Sequence, residues 1–327
     1  MEISIIIVNY RGWKALEECL KSIDLIVSGI SFELIVVDNY SNDGQFPIIK
    51  EKYPKYTFVE NSGNNGFSNG CNFGSSIAKG NYLLFLNPDT KLTAEALESL
   101  FKTAISNPKI GILSCLQINE NNIYYKQNNL FPVLGSFFGI SRAISRKINK
   151  LKLQKRFSNT DEDLFYPDWV TGAVVFISRK WFDKINGWNE DYWLYFEDVD
   201  LCKKMASAGG KIAVSRKATV FHQHGGASRL NIKTKAITKT EVIISKHAYI
   251  SNQFSSATQL YLHSMLIFTV LLEKIYFSFL SLLLFFVPKL HVHRLMLKNL
   301  LTYYINAMQN KTWISPRAMN YLKKEKS

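Results

Sequence analysis

The feature that most constrains this chain is a rhythm in its first hundred residues. Ile3-Ser4-Ile5-Ile6-Ile7-Val8 is a short β-rich apolar run, the mark of a strand covered on both faces. Trp13, Leu16, Leu20 and Ile23 then recur at helical spacing, Glu33 to Asp38 supplies a second buried strand, and Tyr82 to Leu86 another. Thr93 stands as the N-cap of a helix whose apolar face is Leu97, Leu100, Phe101, Ala104 and Ile105. Short buried strands alternating with amphipathic helices predict an α/β fold with a mainly parallel sheet flanked by helices. In such sheets ligands bind beyond the carboxyl ends of the strands.

The later sequence is less regular. Trp169 to Ser178 reads as a strand, Glu197 to Ala208 as a helix, and Ile212 to His222 as short strands. Ser141 to Arg156 holds seven basic residues and no acid, with Ile140, Ile144, Ile148 and Leu151 roughly on one helical face. That pattern suits a solvated surface helix or a helix lying on anionic lipid. The 327 residues carry a formal net charge of +14, which points to an anionic partner. Cys19, Cys71, Cys115 and Cys202 are scattered without paired spacing, as free thiols in a reducing compartment would be. Glu2 stands where a signal peptide would be basic, so the expected location is the cytoplasm.

Polar residues fall where the predicted strands end. Asn9 and Tyr10 follow the first, Asp38 and Asn39 close the second, and Asn87-Pro88-Asp89 follows the strand ending at Leu86. Any one of these groups is an ordinary turn signal, whereas together they define one crevice suited to a nucleotide.

These pieces resemble the family 2 glycosyltransferases, which have the GT-A fold. The resemblance rests on Val8-Asn9-Tyr10, the run Val37 to Gly44, the run Asn61 to Phe67, Asn87-Pro88-Asp89, Val170-Thr171-Gly172-Ala173, Glu197-Asp198-Val199-Asp200-Leu201, and His222-Gln223-His224-Gly225-Gly226-Ala227-Ser228. It covers roughly the first 230 residues and is nearest to bacterial rhamnosyl- and galactofuranosyltransferase-like members. It implies an inverting glycosyltransferase that moves a sugar from a dTDP- or UDP-sugar to a hydroxyl of a glycan or lipid-linked acceptor in cell-envelope polysaccharide synthesis.

The resemblance also implies roles. Asp38 would accept a hydrogen bond from the base or ribose, flanked by the backbone of Asn9 and Tyr10, with Asn65 and Gly66 approaching the nucleotide. Asp89 would hold Mn²⁺ or Mg²⁺ against the donor diphosphate. Asn87 stands where many members carry aspartate, which leaves a neutral contact. His222 would be a second metal ligand, with His224 as the alternative because alternation on a strand puts both on one face. Arg229 would meet the diphosphate. Asp198 would be the general base, Glu197 and Asp200 would position the acceptor or the helix, and Trp169, Thr171, Gly172, Trp193 and Tyr195 would line the acceptor pocket.

Residues 1–110 are thus expected to form the nucleotide-sugar half, 111–230 the acceptor half, and 231–327 a helical, hydrophobic, membrane-associating extension. Leu260 to Val287 is long enough to span a bilayer. The basic residues after it argue for a re-entrant or interfacial helix pair broken near Glu273-Lys274, on the inner face of the membrane. A buried helical hairpin or a homo-oligomer interface formed through this segment is the competing expectation. A dinucleotide-binding oxidoreductase is disfavoured because Asn9-Tyr10-Arg11-Gly12 stands where the glycine fingerprint would be. A nucleic-acid binder is disfavoured because the cations lack aromatic interleaving. A non-catalytic glycan- or nucleotide-binding protein on the same fold is the alternative function.

Overall fold

The computed structural model describes residues 1–127, 129–138, 144, 145, 147, 148, 162–223 and 231–326. The basic stretch 141–156, His224 and Arg229 fall almost wholly or wholly outside them. The chain divides into two compact units.

The first unit is built on nine strands, β1 (Ile3–Asn9), β2 (Phe32–Asp38), β3 (Thr57–Glu60), β4 (Tyr82–Leu86), β5 (Thr90–Lys91), β6 (Ile110–Ile118), β7 (Leu164–Phe165), β8 (Val174–Ser178) and β9 (Lys211–His222). Its helices are α1 (Trp13–Asp24), α2 (Gln45–Lys52), α3 (Phe67–Ile77), α4 (Ala94–Ser106), α5 (Arg179–Lys184) and α6 (Glu197–Ser207). The strand order is β3-β2-β1-β4-β8-β6-β9-β5, with β7 paired to β9. β1, β2, β3 and β4 run parallel, and β8 enters antiparallel between β4 and β6. Parallel registers set Asn9 opposite Asp38 and Asp38 opposite Glu60, so their carboxyl ends open on one edge.

Every residue of β1 is buried, as its unbroken apolar run requires. Ile3, Ile5 and Ile7 join one core with Leu16 and Leu20 of α1 and Leu97 and Leu100 of α4. Ile6 and Val8 face the other way and join Cys71 of α3 and Leu201 of α6. All four cysteines are buried and unpaired.

Three expectations about elements of this unit need correction. Ile105 is 53% exposed, because a further helical step of about 100° beyond Ala104 carries it off the apolar stripe. The strand expected from Trp169 begins only at Val174, since Thr171 to Ala173 turn to bond elsewhere. The short strands expected from Ile212 to His222 are one strand, whose register against β6 jumps between Cys115 and Leu116, leaving Arg216 to Ala218 as a bulge.

The second unit takes Glu190–Phe196 together with α7 (Ile232–Gln253), α8 (Ser256–Leu283), α9 (Pro288–Gln309) and α10 (Met319–Lys326). α8 runs unbroken through Glu273-Lys274, against the sequence expectation. Both residues are good helix formers and they pair with each other at 2.6 Å. The break comes at Leu284 to Val287 instead, ahead of Pro288, which restricts the residue before it and opens α9 at its first position. Inside this unit His247, His263, Tyr303, Tyr304 and Trp313 form an aromatic cluster, with His247 Nδ1 and His263 Nδ1 2.8 Å apart.

Candidate active site

At the carboxyl ends of β1 and β2 the polar side chains bond one another. Asp38 is closed to solvent, accepting from Asn9 Nδ2 at 3.1 Å, Ser41 N at 2.7 Å and Ser41 Oγ at 2.6 Å. Burial raises its pKa, and the bonds from Ser41 and Asn9 oppose that rise. Asn9 Oδ1 accepts from Gly12 N at 3.2 Å, which ties β1 to the start of α1. Ser41 also holds Arg11, through the Arg11 amide at 2.7 Å and its Nε at 3.1 Å. Arg11, Tyr40 and Asn42 all have left-handed backbones, and Tyr10 and Tyr40 remain exposed at this edge. Asp38 is thus committed to bonds within the strand ends, while the Tyr10 and Tyr40 side chains are exposed.

Asparagines carry the network to β3 and α3. Asn39 Nδ2 donates to Gly66 O at 2.9 Å, and Asn61 Nδ2 donates to Asn39 Oδ1 at 3.1 Å and to Asn69 Oδ1 at 2.8 Å. Gly66 has φ +96° and caps α3, a conformation that favours glycine. Asn65 is buried with its side chain on Ser62 Oγ at 3.3 Å. The sequence reading missed Gly70, where a Cβ would lie 2.6 Å from Val8 Cγ1, so only glycine lets α3 sit this close to β1. The Gly70-x-x-x-Gly74 spacing was the available signal.

β5 and β9 pair with Thr90 opposite His222, and Gln223 N donates to Asp89 O at 2.9 Å. This brings His222 Nε2 to 3.3 Å from Asp89 Oδ1. The imidazole is buried, with Nδ1 2.9 Å from Gln117 Oε1. Gln117 Nε2 donates to Thr171 Oγ1 at 3.2 Å, which orients the amide oxygen toward the imidazole. Nδ1 then carries a proton, and Nε2 faces the Asp89 carboxylate. Asp89 Oδ1 is itself buried without a hydrogen bond among the described residues. Two electron-pair donors facing each other fit a divalent cation. No group of three or more such ligands occurs among the described residues, so a cation here would need ligand oxygens from elsewhere. Gln117 was not foreseen. Asn87 lies at the same corner, its amide bonded to Ala173 O at 2.9 Å.

The acid cluster opens α6, where carboxylates favour a helix N-terminus. Asp198 is half-buried and accepts from Gly172 N at 3.2 Å and Val199 N at 2.8 Å. Burial lifts its pKa from 3.8 to about 6, against the pull of those amides. Glu197 is buried and pushed well above the carboxylate range, first by burial and then by Asp198. Asp200 is 1% exposed, a position that suits holding the helix. A Cβ at Gly172 would come 3.3 Å from the Phe67 ring and 3.8 Å from Asp198 Cβ. Trp169 Nε1 donates to Leu130 O at 3.0 Å.

Trp193 and Tyr195 belong to the second unit. Arg317 lies 5.7 Å over the Trp193 ring and pairs with the fully buried Glu241 at 2.9 Å. Ser245 Oγ donates to Leu194 O at 2.8 Å, and Asn320 and Asn252 bond the two oxygens of Asp191. Tyr195 and Phe196 are both left-handed, with φ +72° and +66°, immediately before Glu197 in sequence. Consecutive non-glycine residues in that region are strained.

Comparison with solved structures defines the class. The mannosyltransferase PcManGT from Pyrobaculum calidifontis, in complex with GDP-Man and Mn²⁺, aligns with a TM-score of 0.53 at 16% identity, covering 81% of this chain and 69% of that one. GalNAc-T7 with UDP, GalNAc and Mn²⁺ aligns at 0.52 and 16%, covering 74% and 48%. Both likenesses establish the GT-A glycosyltransferase fold. Residues 4–185, more than half of the chain, match the family described as Glycosyl transferase family 2, and the chain belongs to that family. Residues 151–225 also match the N-terminal domain of galactosyltransferase. Among relatives, rhamnosyltransferase WbbL of Escherichia coli is 30% identical over 41% of this chain and 49% of its own length. The low-salt glycan biosynthesis hexosyltransferase Agl10 of Haloferax volcanii is 26% identical over 62% and 60%. The N-acetylglucosaminyl-diphospho-decaprenol L-rhamnosyltransferase of Mycobacterium tuberculosis is 22% identical over 67% and 75%. The chain thus spans about half the length of the first of these relatives and 60% of the second.

Proposed function

We propose that the chain is an inverting, metal-dependent glycosyltransferase. It takes a dTDP- or UDP-hexose and transfers the sugar to a hydroxyl of a glycan or lipid-linked acceptor in cell-envelope polysaccharide synthesis. The observation that carries this reading is the facing pair of Asp89 Oδ1 and His222 Nε2, 3.3 Å apart at the carboxyl edge of the sheet. Those two residues would hold Mn²⁺ or Mg²⁺, with His222 preferred over His224. A divalent cation there supplies charge to neutralise a departing nucleoside diphosphate. Tyr10 and Tyr40 flank the base on the wall that Asp38 and Asn9 organise. Asn65, Gly66 and Asn87 lie along the donor, and Arg229 adds a cation toward the diphosphate.

Asp198 is the general base. A pKa near 6 leaves it ionised at neutral pH and more basic than an ordinary aspartate, which suits proton abstraction from a hydroxyl. The Gly172 and Val199 amides fix the carboxylate, and buried Glu197 and Asp200 hold its helix. As the proton passes to Asp198, the acceptor oxygen bonds to the anomeric carbon. The bond to the diphosphate breaks, its electron pair leaves with the diphosphate, and the anomeric centre inverts. Trp169, Thr171, Trp193 and Tyr195 contact the acceptor. Residues 1–110 serve the donor, 111–230 the acceptor, and 231–327 keep the enzyme peripherally at the inner face of the membrane.

Thermal stabilisation by UDP, dTDP and GDP, each with and without Mn²⁺, tests the donor side. A nucleotide at about 100 times its Kd adds ~2.7 kcal/mol. The expected result is a Mn²⁺-dependent rise with UDP or dTDP that Asp89→Ala and His222→Gln abolish. A folded protein that responds to no diphosphate supports the non-catalytic binding protein instead.

A further inference from the structure

The second unit leaves one side of α8 uncovered. Tyr261, Phe268, Leu272, Ile275, Phe279 and Leu282 are each more than half exposed. Their spacing of three, four or seven residues places them on a single stripe along the helix. The stripe runs to the turn before α9, where Phe285 and Phe286 are 72% and 68% exposed. The opposite stripe, with Leu262, Leu266, Val270 and Lys274, is buried. A surface helix of a soluble domain has the reverse design, with its polar side outward. An apolar face this long marks a contact.

The surrounding charge says what covers it. From Leu284 onward the sequence holds a single acid, Glu325, against eight lysines and arginines. Of these Lys289, Arg294 and Lys298 are exposed on α9. The acid on α8 itself, Glu273, is already matched by Lys274. A second copy of the chain would bring cations against cations, whereas an anionic lipid surface meets them with the opposite sign.

Length and composition alone would let α8 cross a bilayer, with a mean hydropathy of 1.9. Its packing partner α9 would then cross with it, taking Arg294 and Lys298 into hydrocarbon, a cost avoided when the pair lies in the headgroup layer. We propose that the exposed stripe of α8 and the Phe285-Phe286 turn form an in-plane docking face for an anionic lipid bilayer. This rests on the reading of the enzyme as a peripheral membrane protein and assigns that role to named residues.

Co-sedimentation of the full chain tests it, using phosphatidylcholine vesicles with and without about one third phosphatidylglycerol. Binding is expected on the anionic vesicles and to be released by alkaline carbonate. Leu272→Asn with Phe279→Asn is expected to lower partition at least tenfold. Lys289→Glu with Arg294→Glu does the same on anionic vesicles, while Ile105→Asn on the first unit changes nothing. Wild-type binding that the stripe variant retains overturns the docking face and leaves the peripheral reading standing. Failure of the wild type to bind either vesicle overturns both. Resistance to carbonate overturns the in-plane mode in favour of a span. A dimer that the stripe variant splits, with vesicle binding unchanged, makes the face a contact between copies.

Discussion

Two polar regions of this chain are held together in opposite ways. At the strand ends, the bonds are either local, as from Ser41 to Asp38 three positions away, or span one strand-helix repeat, with Asn9 to Asp38 separated by 29 positions and Arg11 to Ser41 by 30. The aromatic loop Glu190–Phe196 is held from far along the chain. Leu194 meets Ser245 at 51 positions, Asp191 meets Asn320 at 129, and Glu190 meets Lys323 at 133. The first region is fixed by the sheet that creates it. The second is bent through two left-handed residues and needs the C-terminal helices to stay so. The first region therefore depends on nearby sequence and the second on distant sequence within its own unit.

Breaking the strand-end network is expected to cost most. Asp38→Ala strands the Asn9 amide and both Ser41 donors, for a loss of about 2–4 kcal/mol in denaturant unfolding. A loss below about 1 kcal/mol means that water replaces the carboxylate and that the network is not what shapes the crevice. On the loop, Arg317→Met leaves Glu241 buried without its cation. Because Arg317 is 44% exposed, the expected loss is only about 1–2 kcal/mol at pH 8. Burial already raises the Glu241 pKa and Arg317 lowers it, so the variant's Glu241 takes up its proton more readily than the wild type's. The loss therefore shrinks as pH falls, and the quickening of amide exchange at Leu194 to Phe196 relative to wild type shrinks with it. A penalty that does not change with pH removes Glu241 from the explanation. The smallest effect belongs to Tyr195→Gly, where relief of left-handed strain and the looser unfolded chain offset each other to within about 0.5 kcal/mol. A loss of about 2 kcal/mol shows that the side chain, not the turn, secures the loop.

The same contrast explains what the sequence made legible. Buried strands such as Ile3 to Val8 and the helical stripe from Trp13 to Ile23 carry their structure in local periodicity, and polar residues after strands mark an edge. The insertion of antiparallel β8 between β4 and β6 has no local signal. Gln117 sits inside a buried strand, and only three-dimensional pairing brings it to His222. Glu273-Lys274 misled because charge in an apolar run looks like an interruption, whereas the two side chains neutralise each other without disturbing the helix. Tyr195 and Phe196 look like any aromatic pair until their backbone is seen.

Asp198→Asn tests the central claim most directly, by transfer rate alongside unfolding at pH 4 and pH 8. The folded pKa of about 6 lies above the ordinary 3.8, so in the wild type ionised Asp198 weakens the fold above pH 6, and the penalty vanishes below 3.8. The variant is expected to be more stable than wild type at pH 8, on the order of 1–2 kcal/mol after discounting for the carboxylate's partial exposure, and equal to it at pH 4. It should still bind nucleotide with Mn²⁺, and its transfer rate should fall by ~10²–10⁴-fold. Wild-type kcat/KM should fall as pH drops through 6, as the base becomes protonated. Full transfer by a folded Asp198→Asn variant would contradict the account.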